Sequence, residues 1–519
     1  DSRILWLPDV FGYSAALPQI LKKSGIDYFS TSKISWNEYN VIPYNTFMWQ
    51  GIDGSEIFTN FIVGGRGPDD KGKPRVNYNA WVDAENIMGT WKNYRDKGIS
   101  KEPLMTYGLG DGGGGPSRDH LEQAIRFARG IKGMPKLENI TVIEYFDRLY
   151  DNVKDDKRLP KWVGELYLEL HRGTYTSIAK NKKNNRKSEI LMRDTEVFCS
   201  LADRLGLDVY DKKRIYDTWE TILLNQFHDI IPGSSIKEVY DDSDIDYARI
   251  MKDGKELLSN SLHAFSRTVK GEDLCVVFNQ LAFKRVDIVK LRTDKLFNSA
   301  YDSNGNIIPG QTIIEDNKQY FIFEGKLCPM GYTIFKLSQE KYELKDKSFI
   351  ASNNMMENEH LKVVFDENMN ISSIYDKDAK REVIMEGQSA NKITAYEDKP
   401  IKYQAWDINI YYNEKPYDIN DVSYSALVED GLVRKCIKVD RKFMESTITQ
   451  YISLEKNSRR IDFKTIIDCN HDDLLIKAAF PVDVHANEAT YDIQFGNVKR
   501  PTHWNTSWDY ARFEVCAHK

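Results

Sequence analysis

The alternation of apolar and amphipathic segments in residues 3–29, RILWLPDVFGYSAALPQILKKSGIDYF, limits the fold more than any other stretch of the chain. Residues 3–7 have the composition of a buried strand, and the amphipathic segment that follows is typical of a short helix. Ser14 is a suitable N-cap for this helix, and Gly25 suits its left-handed end. A second apolar run, IDYFST, comes next. A strand, a short helix and a second strand predict a βαβ unit and therefore a parallel sheet.

The same alternation continues to about residue 150. Apolar residues at helical spacing predict helices in residues 79–97 and 116–131, and the segment PLMTYGLG at residues 103–110 reads as a strand between them. Residues 140–146 begin as a strand and turn into a helix. The first region is therefore predicted to be part of an α/β domain.

Two further regions follow. Helical patterns dominate from about residue 178 to residue 265, and the clearest, YDKKRIYDTWETILLNQFHD, ends before Pro232-Gly233. Beyond about residue 270, short alternating runs separated by turn residues predict an antiparallel β-sandwich. The predicted fold class is thus α/β plus a helical bundle plus an all-β region.

Charge and cysteine content exclude several classes of protein. The chain has 519 residues and a net charge of −6 without a basic tract, so we expect no nucleic-acid partner. No apolar run approaches the roughly 20 residues of a transmembrane helix, so we expect no membrane partner. The six cysteines are scattered without a CxxC pair, which favours free thiols in a reducing compartment. We therefore expect a cytoplasmic protein.

Two aspartates stand where predicted strands end. Asp9 follows the strand at residues 3–7, and Asp111 follows PLMTYGLG and precedes the glycine run 112–115. Because ligands bind at the carboxyl ends of parallel strands, both acids are predicted on one rim of the sheet. A turn role for Asp9 and a merely flexible glycine loop remain alternatives. The loop lacks the Lys-Ser/Thr of a P-loop, so phosphate binding is rejected.

Two other segments have the chemistry of a site. His228 and Asp229 lie at the carboxyl end of the clearest predicted helix, where a histidine also interacts favourably with the helix dipole without any metal. The segment GELYLELHRGTYTS mixes aromatic, hydroxyl and charged side chains, as sugar-binding sites do, although buried packing is an equally plain alternative.

Six segments together resemble the retaining α-mannosidases of glycoside hydrolase family 38, especially the cytosolic and bacterial branch. They occur in the family's order and are LWLPDVFGYSAALPQIL, TSKISWNEYN, GLGDGGGGP, ELYLELHRGTYTS, NQFHDIIPGSS and RPTHWNTSWDYARFEVCAHK. The resemblance implies that Asp9 is the catalytic nucleophile and a zinc ligand, and that His228 is a second zinc ligand. It also implies that Asp229 contacts substrate and that Asp111 is the general acid/base.

The resemblance also implies a set of sugar-site residues and a domain plan. The residues expected in segments that line the sugar site are Lys33, Trp36, Trp49, Arg172 and Tyr175. The implied architecture is a partial β/α barrel-like catalytic domain, a three-helix bundle and a large antiparallel β-sandwich. In this chain they correspond to residues 1–150, to residues 151–265, which carry the metal-ligand histidine, and to residues 266–519.

Retaining hydrolysis needs two carboxyl groups about 5–5.5 Å apart, one attacking the anomeric carbon and one protonating the leaving oxygen. The resemblance implies one zinc ion per active site, with two more ligands from a His-x-Asp pair upstream of the nucleophile. No such triplet precedes Asp9. We therefore expect a chain truncated at both ends that, on its own, binds no stoichiometric zinc and has no mannosidase activity.

The function expected from the resemblance is retaining hydrolysis of α-linked mannosides in a mannose-containing oligosaccharide, through a covalent mannosyl-enzyme intermediate with zinc assistance. The first alternative is a non-catalytic carbohydrate-binding protein on the same fold. A metal-free inverting glycosidase and a scaffold protein are further alternatives. We also expect that the protein forms a homo-oligomer.

Overall fold

A computed structural model describes residues 2–70, 72–111, 113–207, 210–342 and 348–514. The chain forms two compact units, each built from separated segments. The first unit comprises Asp1–Tyr175, Lys402–Ile408 and Ala486–Lys519, and the second comprises Thr176–Ile401 and Asn409–His485. The predicted domain limits at residues 150 and 265 stay predictions, because a compact unit can hold more than one domain.

The first unit contains a sheet with helices around it. Its strands are β1 (Ile4–Trp6), β2 (Tyr28–Ser30), β3 (Thr46–Gln50), β4 (Glu56–Asn60) and β5 (Lys161–Val163). Its helices are α1 (Leu17–Lys23), α2 (Ala84–Asn93), α3 (Arg118–Ala128) and α4 (Val142–Val153), with 3₁₀ turns at Lys33–Trp36 and Arg172–Tyr175. Its last segment adds a hairpin of Glu488–Ile493 with Gly496–Pro501 and a short helix, Ser507–Tyr510.

The sheet of the first unit is mixed, so the prediction of a parallel sheet is only partly right. Its strand order is β1-β2-β4-β3-β5, and β1, β2 and β4 are parallel as the βαβ pattern predicts. Strand β3 runs antiparallel to β4 and parallel to β5. The physical reason is the short link between Gln50 and Glu56, because so few residues can join only antiparallel neighbours.

The predicted strand at residues 103–110 is wrong. Among the described residues its pairing is limited to an isolated parallel bridge between Tyr107 and Ala80 and a hydrogen bond from the amide of Val63 to the carbonyl of Leu104. Gly108 has φ = 140°, a conformation that interrupts a regular strand. The segment therefore ends on a loop rather than inside a ladder.

Local capping explains where the helices of the first unit begin. Ser117 and Thr141 each accept a hydrogen bond from the third helical amide and form capping boxes with His120 and Glu144. The expectation that Ser14 caps α1 is wrong, since the helix begins after Ala16 without a side-chain cap.

The second unit begins with three helices, α5 (Ala179–Arg204), α6 (Lys212–Asn225) and α7 (Lys237–Ser266). They pack around a shared core that includes Met192, Ile215, Ile222, Ile250 and Leu257. Three long amphipathic helices with an apolar centre agree with the predicted helical region.

The remainder of the second unit is antiparallel. Its strands are β6 (Leu274–Asn279), β7 (Arg285–Arg292), β8 (Ser299–Tyr301), β9 (Ile307–Glu315), β10 (Lys318–Leu327), β11 (Gly331–Ser338), β12 (Ile350–Ser352), β13 (Met355–Glu357), β14 (Leu361–Phe365), β15 (Ile371–Asp376), β16 (Arg381–Glu382), β17 (Lys392–Glu397), β18 (Pro416–Asp418), β19 (Asp421–Asp430), β20 (Arg434–Phe443), β21 (Ser446–Glu455), β22 (Ile461–Asp468) and β23 (Leu474–Ala479).

These strands form four sheets. One, in the order β6-β11-β8-β9-β10-β7, is nearly closed and barrel-like, with buried Phe321, Phe323 and Phe335 in its interior. The sheets β12–β16 and β19–β22 share a core in which Val363 and Ile371 meet Ile437 and Ile452, as expected for a sandwich. A smaller sheet, β18-β17-β23, completes this unit.

Within the described ranges no helix combines the length and apolarity needed to cross a membrane. The described cysteines are all free thiols, and they are Cys199, Cys275, Cys328, Cys436 and Cys469. Cys516 lies outside the described residues, as does Gly112 of the glycine run.

Candidate active site

Asp9 is positioned by the end of β1 and by the loop that follows β2. The amide of Leu7 donates to the carbonyl oxygen of Ser30 and extends the parallel pairing beyond the strand. The next carbonyl, that of Pro8, accepts hydrogen bonds from the amide (3.1 Å) and the hydroxyl (2.7 Å) of Ser32. These bonds hold the end of β1 against the loop that follows β2. They place Asp9 beside the residue that follows Ser32.

That residue is Lys33, and its ammonium forms an ion pair with Asp9. Lys33 Nζ lies 2.8 Å from Asp9 Oδ1, and the lysine side chain is 7% exposed whereas the aspartate side chain is 44% exposed. Lys33 Nζ also lies 4.2 Å from the ring centre of Trp36 and 5.2 Å from that of Phe11. A buried cation therefore supports a carboxylate that reaches solvent next to aromatic surfaces.

Asp111 lies on the loop that follows residues 103–110, in a left-handed backbone conformation with φ = 52°. The hydroxyl of Tyr78 donates a hydrogen bond of 2.7 Å to Asp111 Oδ1. The backbone of Tyr78 is held in turn, since its carbonyl accepts a hydrogen bond from the Thr106 hydroxyl. The loop and the segment before α2 are thus joined at the side chain of Asp111.

Tyr78 connects the two aspartates electrostatically. Burial, the hydrogen bond to Asp111 and the negative charges of Asp9 and Asp111 raise the pKa of Tyr78 to about 12. Tyr78 therefore remains a hydrogen-bond donor to Asp111 at neutral pH.

His171 forms part of the wall next to Asp9. Its ring stacks on Phe11 with centres 4.3 Å apart, and it also neighbours the rings of Tyr403 and Trp406. Burial, assisted by the positive charge of Lys33, lowers the pKa of His171 to about 4. Its Nδ1 is buried without a hydrogen-bond partner, and its backbone has φ = 61°. The imidazole is therefore neutral near neutral pH. Packing holds the backbone of His171 in a strained conformation.

Trp49 and Arg172 are buried, which does not fit the expectation that they contact a sugar. Trp49 is fully buried among Phe29 and Tyr13, and its indole N–H donates to the carbonyl of Gly164 at 2.7 Å. A side chain with no exposed surface and a satisfied N–H packs the core.

Arg172 lies in a buried ion cluster. Its guanidinium is 3.4 Å from Asp407 and 3.6 Å from Glu38, and it stacks over Phe513. Burial raises the pKa of Asp407, although the charge of Arg172 opposes this effect. Among the other predicted sugar-site residues, Trp36 and Tyr175 are 37% and 49% exposed.

His228 and Asp229 belong to the second unit and lie in the turn after α6. The helix ends at Asn225, three residues before the histidine. His228 Nε2 lies 3.6 Å from Asp229 Oδ2, and the two side chains are 79% and 51% exposed. Both side chains are therefore largely open to solvent, although the His228 ring centre lies 4.2 Å from that of Phe227.

The residues present do not complete a zinc site. Zinc in proteins takes three or four ligands from histidine, cysteine and carboxylate side chains. Within the described part of the chain, no group of three or more such residues is placed to hold a metal ion. Asp9 is paired with the ammonium of Lys33, so among the described residues it offers a single metal ligand.

Sequence reasoning missed three residues of this site, Tyr78, Phe11 and His171. Phe11 and His171 lie within segments that carry the family resemblance, LWLPDVFGYSAALPQIL and ELYLELHRGTYTS, and their aromatic character was the available signal. Tyr78 had no signal, because it precedes a helix in an irregular segment and meets Asp111 only in the folded chain.

Three family profiles match successive parts of the chain. The glycosyl hydrolases family 38 N-terminal domain matches residues 1–165, the alpha mannosidase middle domain matches residues 169–265, and the glycosyl hydrolases family 38 C-terminal domain matches residues 356–519. The first contains Asp9 and Asp111, and the second contains His228 and Asp229.

Full-length relatives support the same assignment. Alpha-mannosidase G of Dictyostelium discoideum is 32% identical over 99% of this chain and 49% of its own length. Alpha-mannosidase 2C1 of Homo sapiens is 33% identical over 99% of this chain and 47% of its own length. The chain therefore spans about half the length of the curated relatives it matches.

A solved structure supports the fold. The crystal structure of an alpha-mannosidase from Enterococcus faecalis V583 superposes with a TM-score of 0.74 at 17% identity, covering 98% of this chain and 65% of that one. Three consecutive family profiles, relatives matched along the whole chain and a shared fold lead to one conclusion. The chain belongs to glycosyl hydrolase family 38.

Proposed function

We propose that the protein containing this chain is a retaining α-mannosidase, with Asp9 as the nucleophile and Asp111 as the general acid/base. The observation that supports the proposal is that the segment matching the family 38 N-terminal domain holds Asp9 beside the buried ammonium of Lys33 and Asp111 on the phenol of Tyr78. Relatives named alpha-mannosidase match the chain over nearly its whole length, which supports a mannoside as the substrate.

In the first step, a carboxylate oxygen of Asp9 attacks the anomeric carbon while the bond to the leaving oxygen breaks. The carboxyl proton of Asp111 passes to that oxygen, so the leaving group departs as a neutral alcohol. The ammonium of Lys33 contacts Oδ1 of Asp9, which leaves Oδ2 as the attacking oxygen in this proposal. The product is a mannosyl ester of Asp9.

In the second step, the ionised Asp111 accepts a proton from water, and the water oxygen attacks the same carbon from the face opposite Asp9. The ester bond breaks, and two inversions restore the original configuration. The phenol of Tyr78 donates to the ionised form of Asp111 and supports it in this base role. Trp36 and Phe11 supply apolar surfaces for a sugar ring next to Asp9.

Zinc remains a proposal that rests on the resemblance alone. In it, Asp9 and His228 each provide one ligand, Asp229 contacts the substrate, and the remaining ligands come from outside this chain. A bound zinc ion would orient sugar hydroxyls. No step above passes through the metal.

A cytoplasmic location and a homo-oligomeric assembly complete the proposal. The scattered cysteines without a CxxC pair support a reducing compartment. Burial raises the pKa of Cys275 to about 11 and that of Cys436 to about 12. Such thiols are poorly reactive and are stable as free cysteines.

The test uses the longer protein that contains this chain and an aryl α-mannoside. Proton NMR of the first product should show the α-anomer, and Asp111→Ala should lose more activity on a natural mannoside than on an activated aryl mannoside. Azide should restore turnover of Asp111→Ala by attacking the mannosyl ester.

Three results would overturn the proposal. A β-anomer as the first product would identify an inverting enzyme. Equal losses on both substrates without azide rescue would remove Asp111 from the acid role. Binding of mannosides without any turnover would favour the alternative, a carbohydrate-binding protein.

A further inference from the structure

The turn that carries His228 and Asp229 is folded tightly on itself. The amides of Ile230 and Ile231 both donate to the carbonyl of Phe227, at 2.8 and 3.0 Å, and the amide of Gly233 donates to the carbonyl of Ile230 at 3.2 Å. The carbonyl of Asp229 accepts a hydrogen bond from the Ser235 hydroxyl. These bonds give the turn a defined shape but do not fix its direction relative to the helices.

Lys182, in the first turn of α5, connects this turn to the helix. Its ammonium donates to the carbonyl of Ile231 at 2.9 Å and to the carbonyl of Ser177, which precedes α5. The side chain is partly buried, and burial lowers its pKa to about 8. Near neutral pH it is therefore mainly an ammonium with three donors, which can serve two carbonyls from different directions at once.

A close backbone contact supports the same connection. Gly233 has φ = 88°, and a Cβ at this position would lie 2.4 Å from the carbonyl oxygen of Ser177. Residues 177 and 233 thus touch without a side chain between them. The carbonyl of Ser177 and the end of the turn meet at the position of the Lys182 ammonium.

A second connection lies at the beginning of the turn. The side-chain amide of Gln226 donates to Asn185 Oδ1 at 3.1 Å and to Glu189 Oε1 at 2.9 Å, one and two turns further along α5. The turn is therefore attached to α5 on both sides of His228 and Asp229.

We propose that Lys182 is a positioning residue that fixes the direction of His228 and Asp229 by holding the carbonyl of Ile231 against the start of α5. The effect of Lys182 on catalysis rests on the proposed function of the site, but its effect on the shape of the turn does not. Without the ammonium, two backbone carbonyls lose their donor. The turn then keeps the Gln226 connection to α5 and the hydrogen bonds that Tyr240 of α7 makes with Ile230 and Ser235.

The experiment compares Lys182→Met with Lys183→Met in the longer protein that contains this chain. Lys183 is the neighbouring, exposed lysine of the same helix and provides a matched control. Hydrogen–deuterium exchange is followed in a peptide covering residues 226–235. A peptide from α7 reports global folding.

In Lys182→Met we expect amide exchange in the turn to become about tenfold faster, with α7 unchanged. We also expect kcat/KM for an aryl mannoside to fall about tenfold, because a misplaced binding group costs orientation. Lys182→Arg should recover much of the protection, since a guanidinium can also donate to two carbonyls. Lys183→Met should behave as the unmodified protein.

Equal exchange in the two Met variants would overturn the positioning role, whatever the activity. Faster exchange in the turn with unchanged kinetics would overturn its catalytic consequence. If the unmodified protein hydrolyses no mannoside, the proposed function fails, and the exchange data still decide whether Lys182 positions the turn. If Lys182→Met does not fold, the comparison is made with Lys182→Gln, which keeps one donor.

Discussion

Lys33 in the first unit and Arg441 in the second are both buried cations, but their partners differ. Lys33 faces Asp9, a carboxylate with 44% of its side chain exposed. Arg441 has no exposed surface and donates to the backbone carbonyls of Asn368 and Met369, at 2.8 and 3.0 Å. Burial lowers the pKa of Arg441.

The difference shows how one kind of group serves two purposes. A buried cation whose partner reaches solvent supports a group that can react with a ligand. A buried cation whose partners are backbone carbonyls stabilises the fold, because removing it leaves those carbonyls without a donor. A substitution at the Lys33–Asp9 pair should therefore lower activity and leave stability unchanged. A substitution of Arg441 should lower stability.

The largest effect is expected at Asp9. Asp9→Asn keeps the shape of the side chain but removes the nucleophile, so kcat for an aryl mannoside should fall on the order of 10⁴-fold. The melting temperature should change little, because the side chain is half exposed. Asp151→Asn, at an exposed acid on α4, is the control for a general charge effect. Retention of more than a small fraction of activity would refute the nucleophile assignment.

Arg441→Met should have the largest effect on stability. The variant leaves the carbonyls of Asn368 and Met369 without their donor in the sandwich core, and we expect a loss of about 3 kcal/mol in the free energy of unfolding. Urea denaturation measures this loss. The exposed neighbour Lys442→Met should cost less than about 0.5 kcal/mol. A small effect at both positions would show that water replaces the guanidinium.

The pH dependence of stability should identify His171. Its pKa of about 4 in the folded chain lies below the ordinary value near 6.5, so the unfolded chain takes up this proton first. Its contribution to stability is complete above pH 6.5 and is lost as the pH falls towards 4. In His171→Phe, the decrease in the free energy of unfolding between pH 6.5 and pH 4 should be smaller by on the order of 2 kcal/mol.

Thermal unfolding between pH 4 and 7 provides the measurement for His171. The control is His485→Phe, because the side chain of His485 is 95% exposed. Parallel pH profiles for His171→Phe and the unmodified protein would mean that the imidazole is hydrated in solution.

Tyr78→Phe should have the smallest effect on activity. The loss of one hydrogen bond to Asp111 should reduce kcat/KM about tenfold. Steady-state kinetics with an aryl mannoside measures this loss. A structural role alone would lower the melting temperature and leave kcat/KM of the folded enzyme unchanged.

Local patterns predicted much of the fold. The helices at residues 84–93 and 118–128 lie within the predicted segments, because apolar spacing and capping residues act over a few neighbours. The helix at residues 142–153 overlaps the predicted segment 140–146 only at its start. The strand predicted at residues 103–110 failed, since pairing depends on a partner elsewhere in the chain. The antiparallel β3 was missed for the same reason.

The sequence by itself determined the order of the α/β, helical and β regions, the position of Asp9 and Asp111 after extended segments, and the family resemblance. These features depend on residue type and short-range spacing. Only the tertiary structure decided that Lys33 pairs with Asp9, that Tyr78 donates to Asp111, and that Trp49 is buried in the core. The physical reason is that these relations depend on which side chains long-range packing brings within hydrogen-bond distance or removes from solvent, and no local pattern records that.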